Sequence, residues 1–344
     1  MSIAIERKIL IPAVIGAALS LLILRTGFLA FFFLAPLGFI AYRFEYKIAW
    51  TAFFFAALGN LVLAVGARSS RGVSMTDTLW DIIYYGIMAF IFTGIVAPPP
   101  ALSERFRGAV RFFCGSCLGA LLLALLFLQV SSSPVFMEYI NYLLEVIFQI
   151  NPPSSSDVVN NAILGGLSTE VILEAVKTVM LRGGSLVSCI LLFAVCRQTG
   201  FLLARLSLRK RGSASLGTSS IASFRVSSLV IWVFSVSLFL VVVTGITRLE
   251  ILEIILWNIL VLCVILYFTQ GLGILQFFLS RFALSPFPKV FFLVVLVVVL
   301  FSPFLNVILL GGLFLLGVAE NWVPLRAPKK SGPPSTPEAG DGEG

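Results

Sequence analysis

From Val226 to Thr247 the chain reads VSSLVIWVFSVSLFLVVVTGIT, with no charged residue. Runs of this kind recur along its length, at 8–24, 27–42, 48–67, 80–98, 109–130, 184–205, 226–247 and 251–271, and a longer apolar stretch fills 289–319. A helix of about 20 apolar residues crosses the hydrocarbon core of a bilayer. In lipid each segment must satisfy its own backbone N–H and C=O groups, which a helix does. Composition agrees. The chain is 59% hydrophobic and 12% charged, against about 25% charged in a typical soluble domain, and its mean hydropathy is +1.06. The fold class is therefore all-α: a polytopic transmembrane helix bundle of about 8–10 spans. In the 289–319 stretch Ser302-Pro303 predicts a tight helical hairpin whose second arm starts at Pro303.

Basic residues in the short loops set the orientation. Arg7 and Lys8 place the N-terminus in the cytoplasm. Arg43, Lys47, Arg105, Arg107, Arg111, the block Arg205 to Arg225, Arg281, Lys289 and Arg326 to Lys330 then fall on the same side. Arg25, Arg68 and Arg71 fall opposite and are fewer. The predicted location is the bacterial cytoplasmic membrane, with both termini cytoplasmic and an uncleaved first helix. Residues 131–183 are acidic on balance, with Glu138, Glu145, Asp157, Glu170 and Glu174 against Lys177 and Arg182. MEYINYLLEVIFQI and STEVILEAVKTVMLR read as two extracytoplasmic helices capping the bundle or dipping into the outer leaflet, with Asp157 as a plausible N-cap between them. The organisation expected is a five-helix membrane half (1–130), this cap (131–183), a second membrane half (184–326) with a basic loop at 205–225, and a disordered Pro- and Gly-rich tail (327–344).

Composition also excludes functions. The formal charge of +8 is spread between apolar runs, which argues against nucleic acid. With no histidine, the usual neutral-pH base and commonest metal ligand are missing. Cys114 and Cys117 form a C-x-x-C, read either as a redox or metal pair or as small residues beside Gly115 and Gly119. No carboxylate pair, metal signature or cofactor motif points to an enzyme.

Charges inside a span cost about 2.5–3.5 kcal/mol each on insertion scales. Arg197, in LLFAVCRQTGFLLARL, is the clearest such charge, facing a solute or carboxylate, or snorkelling to the headgroups. In EILEIILWNILVLCVILYFTQGLGILQFFLSRF, Asn258, Thr269 and Gln276 are eleven and eighteen residues apart, so they share one helical stripe. They line a solute cavity or bond to neighbouring helices. Gln270 lies off this stripe, and Gly271 and Gly273 allow a local break. Asn60 and Asn306 are single polar residues suited to packing. Ala13-x-x-x-Ala17 and Gly115-x-x-x-Gly119 permit close helix contact. In LLGVAENWVPLR, Trp322, Pro324 and Arg326 read as a helix leaving the membrane, with Glu320 and Asn321 at headgroup level.

The segments LYFTQGLGILQFF and LLGVAENWVPLR, with FLAPLGFIAYRFEYKIAW near the start, resemble the YybS-like family of bacterial multi-pass membrane proteins. That family is distantly similar to the substrate-binding membrane subunits of energy-coupling-factor transporters. The resemblance implies partners, namely a coupling membrane subunit and ATPases, with Ala13 and Ala17 a possible docking face. The expected function is a solute-binding or transport-related module for a small molecule in the lipid bilayer. The alternative is a non-catalytic scaffold or assembly factor for envelope or division machinery.

Overall fold

The computed structural model describes residues 2–26, 29–71, 75–100, 108–131, 133, 136–138, 142, 169–209, 223–247, 249–281, 302, 305–323 and 325–326. Every regular element among them is helical. Six helices among the described residues are long and apolar enough to cross a membrane, and the segments Leu10–Arg25, Ala30–Arg43 and Leu305–Ala319 are shorter and equally apolar. The protein is an all-α polytopic membrane helix bundle. The first cap helix beyond Tyr142, Asp157, the loop at 210–222, the first arm of the predicted hairpin and the tail from 327 all lie outside the described residues.

The chain forms two compact units. The first comprises Met1–Gly217 and Val243–Val261, the second Thr218–Val242 and Leu262–Gly344. The first is built on α1 (Ser2–Arg25), α2 (Ala35–Arg43), α3 (Tyr46–Arg71), α4 (Met75–Val96), α5 (Gly108–Val130), α6 (Thr169–Val179) and α7 (Ser185–Arg209). In it α1 packs on α3, α2 on α7, α3 on α4, and α5 on both α4 and α7. Ala13 and Ala17 are buried within the fold, so this small-residue pair serves contact inside the chain. Gly115 meets Ile95 and Ile91 of α4, while Gly119 meets Phe193 and Cys189 of α7. Cys114 is exposed and Cys117 half-buried on the same helix.

The expected second span is a short apolar segment, Ala30–Arg43, that changes from 3-10 to α winding. A 3-10 turn, Ala30–Phe32, precedes α2, which has nine residues. At 1.5 Å rise per residue α2 is about 14 Å long, under half the core thickness of about 30 Å. Pro36 sits in the first turn of α2 and fixes where the helix begins. The 3-10 turn itself is exposed, with Phe31 at 46% and Phe32 at 36%, and burial begins after it, at Phe33, Leu34, Ala35, Leu37 and Ile40. Two carbonyls of this segment are bonded by side chains of other helices. Ser20 Oγ of α1 donates to the Phe33 carbonyl at 2.5 Å, and Cys196 Sγ of α7 to the Phe31 carbonyl at 3.3 Å.

The second cap helix, α6, is joined directly to the sixth span, α7, through a kink at Met180–Gly184 whose backbone is not helical at Gly183. Gly183 has φ 135° there, a backbone that a side chain at this position would strain. The turn is held by the start of α9 (Glu250–Arg281), whose residues up to Val261 belong to this unit. Asn258 Nδ2 donates to the Leu181 carbonyl at 2.6 Å, Arg182 pairs with Glu253 at 3.0 Å, and Val261 packs where a Cβ on Gly183 would lie.

The second unit contains most of α8 (Leu229–Thr247), the remainder of α9, and α10 (Leu305–Ala319). The helix is unbroken through Gly271 and Gly273. Gly271 instead lets two backbones touch. A Cβ on it would collide with the Leu313 carbonyl of α10, and one on Gly317 with the Tyr267 carbonyl of α9. Small residues of this kind are how membrane helices approach closely where no hydrophobic force draws them together. Phe314 packs between Phe234 and Tyr267, at ring distances of 5.6 and 6.2 Å.

Gly271→Val and Gly317→Val should each force α9 and α10 apart, costing about 1–3 kcal/mol or more as overpacking. Gly312→Ala, whose Cβ meets nothing within 4 Å, should change little. Thermal unfolding of purified protein in detergent distinguishes the three.

Candidate functional site

The broken second segment forms one wall of a cavity in the first unit. Its volume is about 250 Å³, and it is lined by Leu24, Ala30, Phe31, Phe33, Tyr84, Leu123, Ser188, Cys189 and Leu192. Small-molecule sites typically hold about 300–1,000 Å³, so this one suits a compact guest. The lining is mostly apolar and carries no charged side chain. Two hydroxyls, of Tyr84 and Ser188, and the Cys189 thiol are its polar groups. The cavity is half open, and these groups are the ones able to hydrogen-bond a guest within it.

Each wall is fixed from behind. The Phe33 ring lies 5.5 Å from the Tyr85 ring and 6.3 Å from the Tyr84 ring. Tyr85 is fully buried, and its hydroxyl is 2.9 Å from Ser20 Oγ, which also holds the Phe33 carbonyl. Gly200 of α7 sits where a Cβ would come within 2.7 Å of the Gly38 and Phe39 backbone, seating α2 firmly on α7. The turn therefore keeps its shape without a guest, which lowers the ordering cost of binding.

A charged cluster lies one helical turn away. Arg25 follows the lining residue Leu24, and Asp81 precedes the lining residue Tyr84 by three positions. Arg25 Nη2 donates to Asp81 Oδ2 at 2.7 Å and to Asn60 Oδ1 at 2.9 Å, and Asn60 Nδ2 donates to the Asp81 carbonyl at 3.4 Å. Asn60 is 1% exposed. It carries more than packing: it fastens the ends of α1 and α4 to α3 beside the cavity.

The expected site residues fall elsewhere. Arg197 is on α7, eight residues beyond Cys189, about 12 Å along the helix. Its Nε donates to the Tyr42 hydroxyl at 3.0 Å and its guanidinium lies 5.8 Å from the Phe112 ring centroid. Asn258 Nδ2 is taken by the Leu181 and Ile254 carbonyls. Thr269 Oγ1 donates to its own helix at Ile265, and Gln276 is exposed. None of the four lines the cavity. The buried face of α9 is instead Leu256, Leu260, Cys263, Tyr267, Gln270 and Ile274.

Gln270, off the expected stripe, is the polar hub of the second unit. It is 2% exposed. Its Nε2 donates to the Gly317 carbonyl at 3.0 Å, and its Oε1 accepts from Val226 N–H at 2.6 Å. The closing segment LLGVAENWVPLR completes this hub. Trp322 is exposed, in keeping with a helix exit. Arg326 is enclosed by the protein: its side chain is 3% exposed and that of Glu320 5%. Arg326 Nε donates to Glu320 Oε1 at 2.6 Å, Nη2 bonds to Glu320 Oε2, and Nη2 donates to the Phe224 carbonyl at 2.8 Å. A planar guanidinium answering both carboxylate oxygens is the geometry in which a desolvated pair is tolerated.

A family model described as predicted membrane protein (DUF2232) matches residues 14–314, and the chain belongs to that family. Neither the curated proteins nor the solved structures contain a match to this chain.

Glu320→Ala should leave Arg326 as an unpaired buried charge and destabilise the protein by about 3–5 kcal/mol. The double replacement Glu320→Met with Arg326→Met should cost clearly less than either single change predicts by addition. Melting temperatures of the purified variants test this.

Proposed function

We propose that this DUF2232 membrane protein is a solute-binding or transport-related module of the bacterial cytoplasmic membrane, with the cavity beside the broken second segment as its solute site. The observation that carries the reading is a cavity bordered by the change from 3-10 to α winding in the second segment. Ala30 and Phe31 of the 3-10 turn and Phe33 just after it supply one wall, and interrupted helices are a recurring means of building substrate sites in membrane transporters. The guest is a small, largely apolar or aromatic molecule with one or two hydrogen-bonding groups, to match Tyr84 and Ser188. The role proposed is binding, and the cavity lining carries no charged side chain.

The sequence resemblance to energy-coupling-factor substrate subunits supports the same class of role, with a coupling membrane subunit and ATPases as partners. Because Ala13 and Ala17 are buried, such a subunit would meet the outward face of α1 at residues such as Ile15 and Leu22, which are exposed. Basic residues also favour the cytoplasmic termini. The Trp50–Ala97 and Arg197–Tyr42 hydrogen bonds gather the end of α2, the start of α3 and the end of α4 with α7, so Arg43 and Lys47 share one end of the first unit. Arg25 and Asp81 are at the other.

A second reading, a non-catalytic scaffold or assembly factor for envelope or division machinery, is favoured by one observation. Asn258, the first residue of the expected polar stripe, spends its amide N–H groups inside the chain. Cross-linking in cells that recovers an envelope protein, with cavity variants behaving as wild type, would support this reading.

Ala30→Trp should fill the cavity, while Tyr84→Phe and Ser188→Ala should remove its hydrogen bonds with little change in volume. Untargeted mass spectrometry of purified protein should find a small molecule in wild type, less of it in the two hydroxyl variants and none in Ala30→Trp. Absence of any retained molecule from folded wild type, together with unchanged growth of cells carrying Ala30→Trp, would sink the solute reading.

A further inference from the structure

Side chains join α1 and α4 at two levels. Deep in the unit, Ser20 Oγ of α1 is 2.9 Å from the Tyr85 hydroxyl of α4. Nearer the C-terminal end of α1, Arg25 Nη2 donates to Asp81 Oδ2 of α4 at 2.7 Å. The two bridges are five residues apart on α1 and four on α4, about 6–8 Å along either axis. The cavity-lining residues Leu24 and Tyr84 fall between them on their helices. α1 packs chiefly on α3, and α4 on α3 and α5, so side chains close the space between α1 and α4.

The bridges differ in kind. Ser20 and Tyr85 are fully buried, and Ser20 Oγ also holds the Phe33 carbonyl, so the inner bridge belongs to the fixed wall. The Arg25 and Asp81 side chains are 43% and 33% exposed. Ion pairs with this much access to water contribute little net stability. Parting this one also leaves the buried amide beside it satisfied. When the Asp81 carboxylate turns to water, Arg25 keeps the Asn60 side-chain oxygen, and Asn60 Nδ2 keeps the Asp81 backbone carbonyl. The closed and open arrangements therefore differ mainly at one half-exposed carboxylate.

We propose that Arg25 and Asp81, seated on Asn60, form a latch over the end of the solute cavity nearest the C-terminus of α1, and that small molecules from the aqueous phase reach the cavity when the pair parts. The latch rests on the reading of this cavity as a solute site, but its test follows access to the cavity and needs no solute.

The test uses the full-length protein in neutral detergent and a small, positively charged methanethiosulfonate reagent, with labelling of each cysteine followed by peptide mass spectrometry. Cys189 lines the cavity. Cys196, seven residues further along α7, and Cys263 of the second unit are buried outside the lining. Ser188→Cys supplies a second reporter at a half-buried lining position. Arg25→Gln and Asp81→Asn should each speed labelling of both reporters by about twofold to fivefold, the range for losing a partly exposed ion pair. Cys196 and Cys263 should label as in wild type. The two changes shift local charge in opposite directions, so a shared acceleration reports opening and not attraction of the reagent. Arg25→Lys keeps the pair and should stay near wild type. Reporter rates equal to wild type in the folded variants, or an equal acceleration at Cys196 and Cys263, overturn the latch. Failure to retain a solute on purification counts against the solute reading alone.

Discussion

Inside a bilayer a polar group has no water to turn to, and this single condition accounts for most of the specific contacts in the protein. Its polar side chains do not gather on one face. Ser20, Asn60, Asn258 and Gln270 each spend a donor or acceptor on the backbone or side chain of another segment. Such contacts are individually weak, about 0.6 kcal/mol on average in membrane helix bundles. Their effect is on specificity, because an alternative packing would strand the same groups in hydrocarbon. The two charged clusters follow the same logic on different terms. Arg25 and Asp81 are part-exposed and keep access to solvent, whereas Glu320 and Arg326 are almost wholly enclosed and depend on each other.

The second condition is distance. Lipid is as apolar as leucine, so helices associate through close van der Waals packing, and glycine decides where that is achieved. In the second unit Gly271 and Gly317 bring carbonyls of one helix against the backbone of the next. In the first unit Gly200 seats α7 on the short α2. The second of these contacts also positions the site. It holds the 3-10 turn in place, and that turn closes one side of the cavity.

The sequence makes the spans and helical class readable because length and hydropathy are collective properties, averaged over twenty residues. The interruption between Leu29 and Ala35 escapes such an average, since Phe31, Phe32 and Phe33 are as apolar as any helical stretch. Pro36 was its one visible sign. The polar stripe at Asn258, Thr269 and Gln276 illustrates a different limit. α9 is apolar all round, so its periodicity does not say which face is inside, and Gln270 proved to lie on the buried one. The cavity residues Tyr84, Ser188 and Cys189 carry no motif at all. They are brought together by the packing of α4 on α5 and of α5 on α7. Glu320 and Arg326 are six residues apart across a non-helical turn, where helical spacing predicts nothing.

The kink at Met180–Gly184 has a mechanical meaning. At this kink the Leu181 carbonyl accepts from the Asn258 amide, with Arg182 bonded to Glu253 and Val261 filling the hollow over Gly183. Three fittings within nine residues of α9 act as a key in a keyway. Sliding α9 by one residue would displace them by about 1.5 Å along its axis and swing them by about 100°, so all three disengage together. These contacts thus fix one register between the two helices.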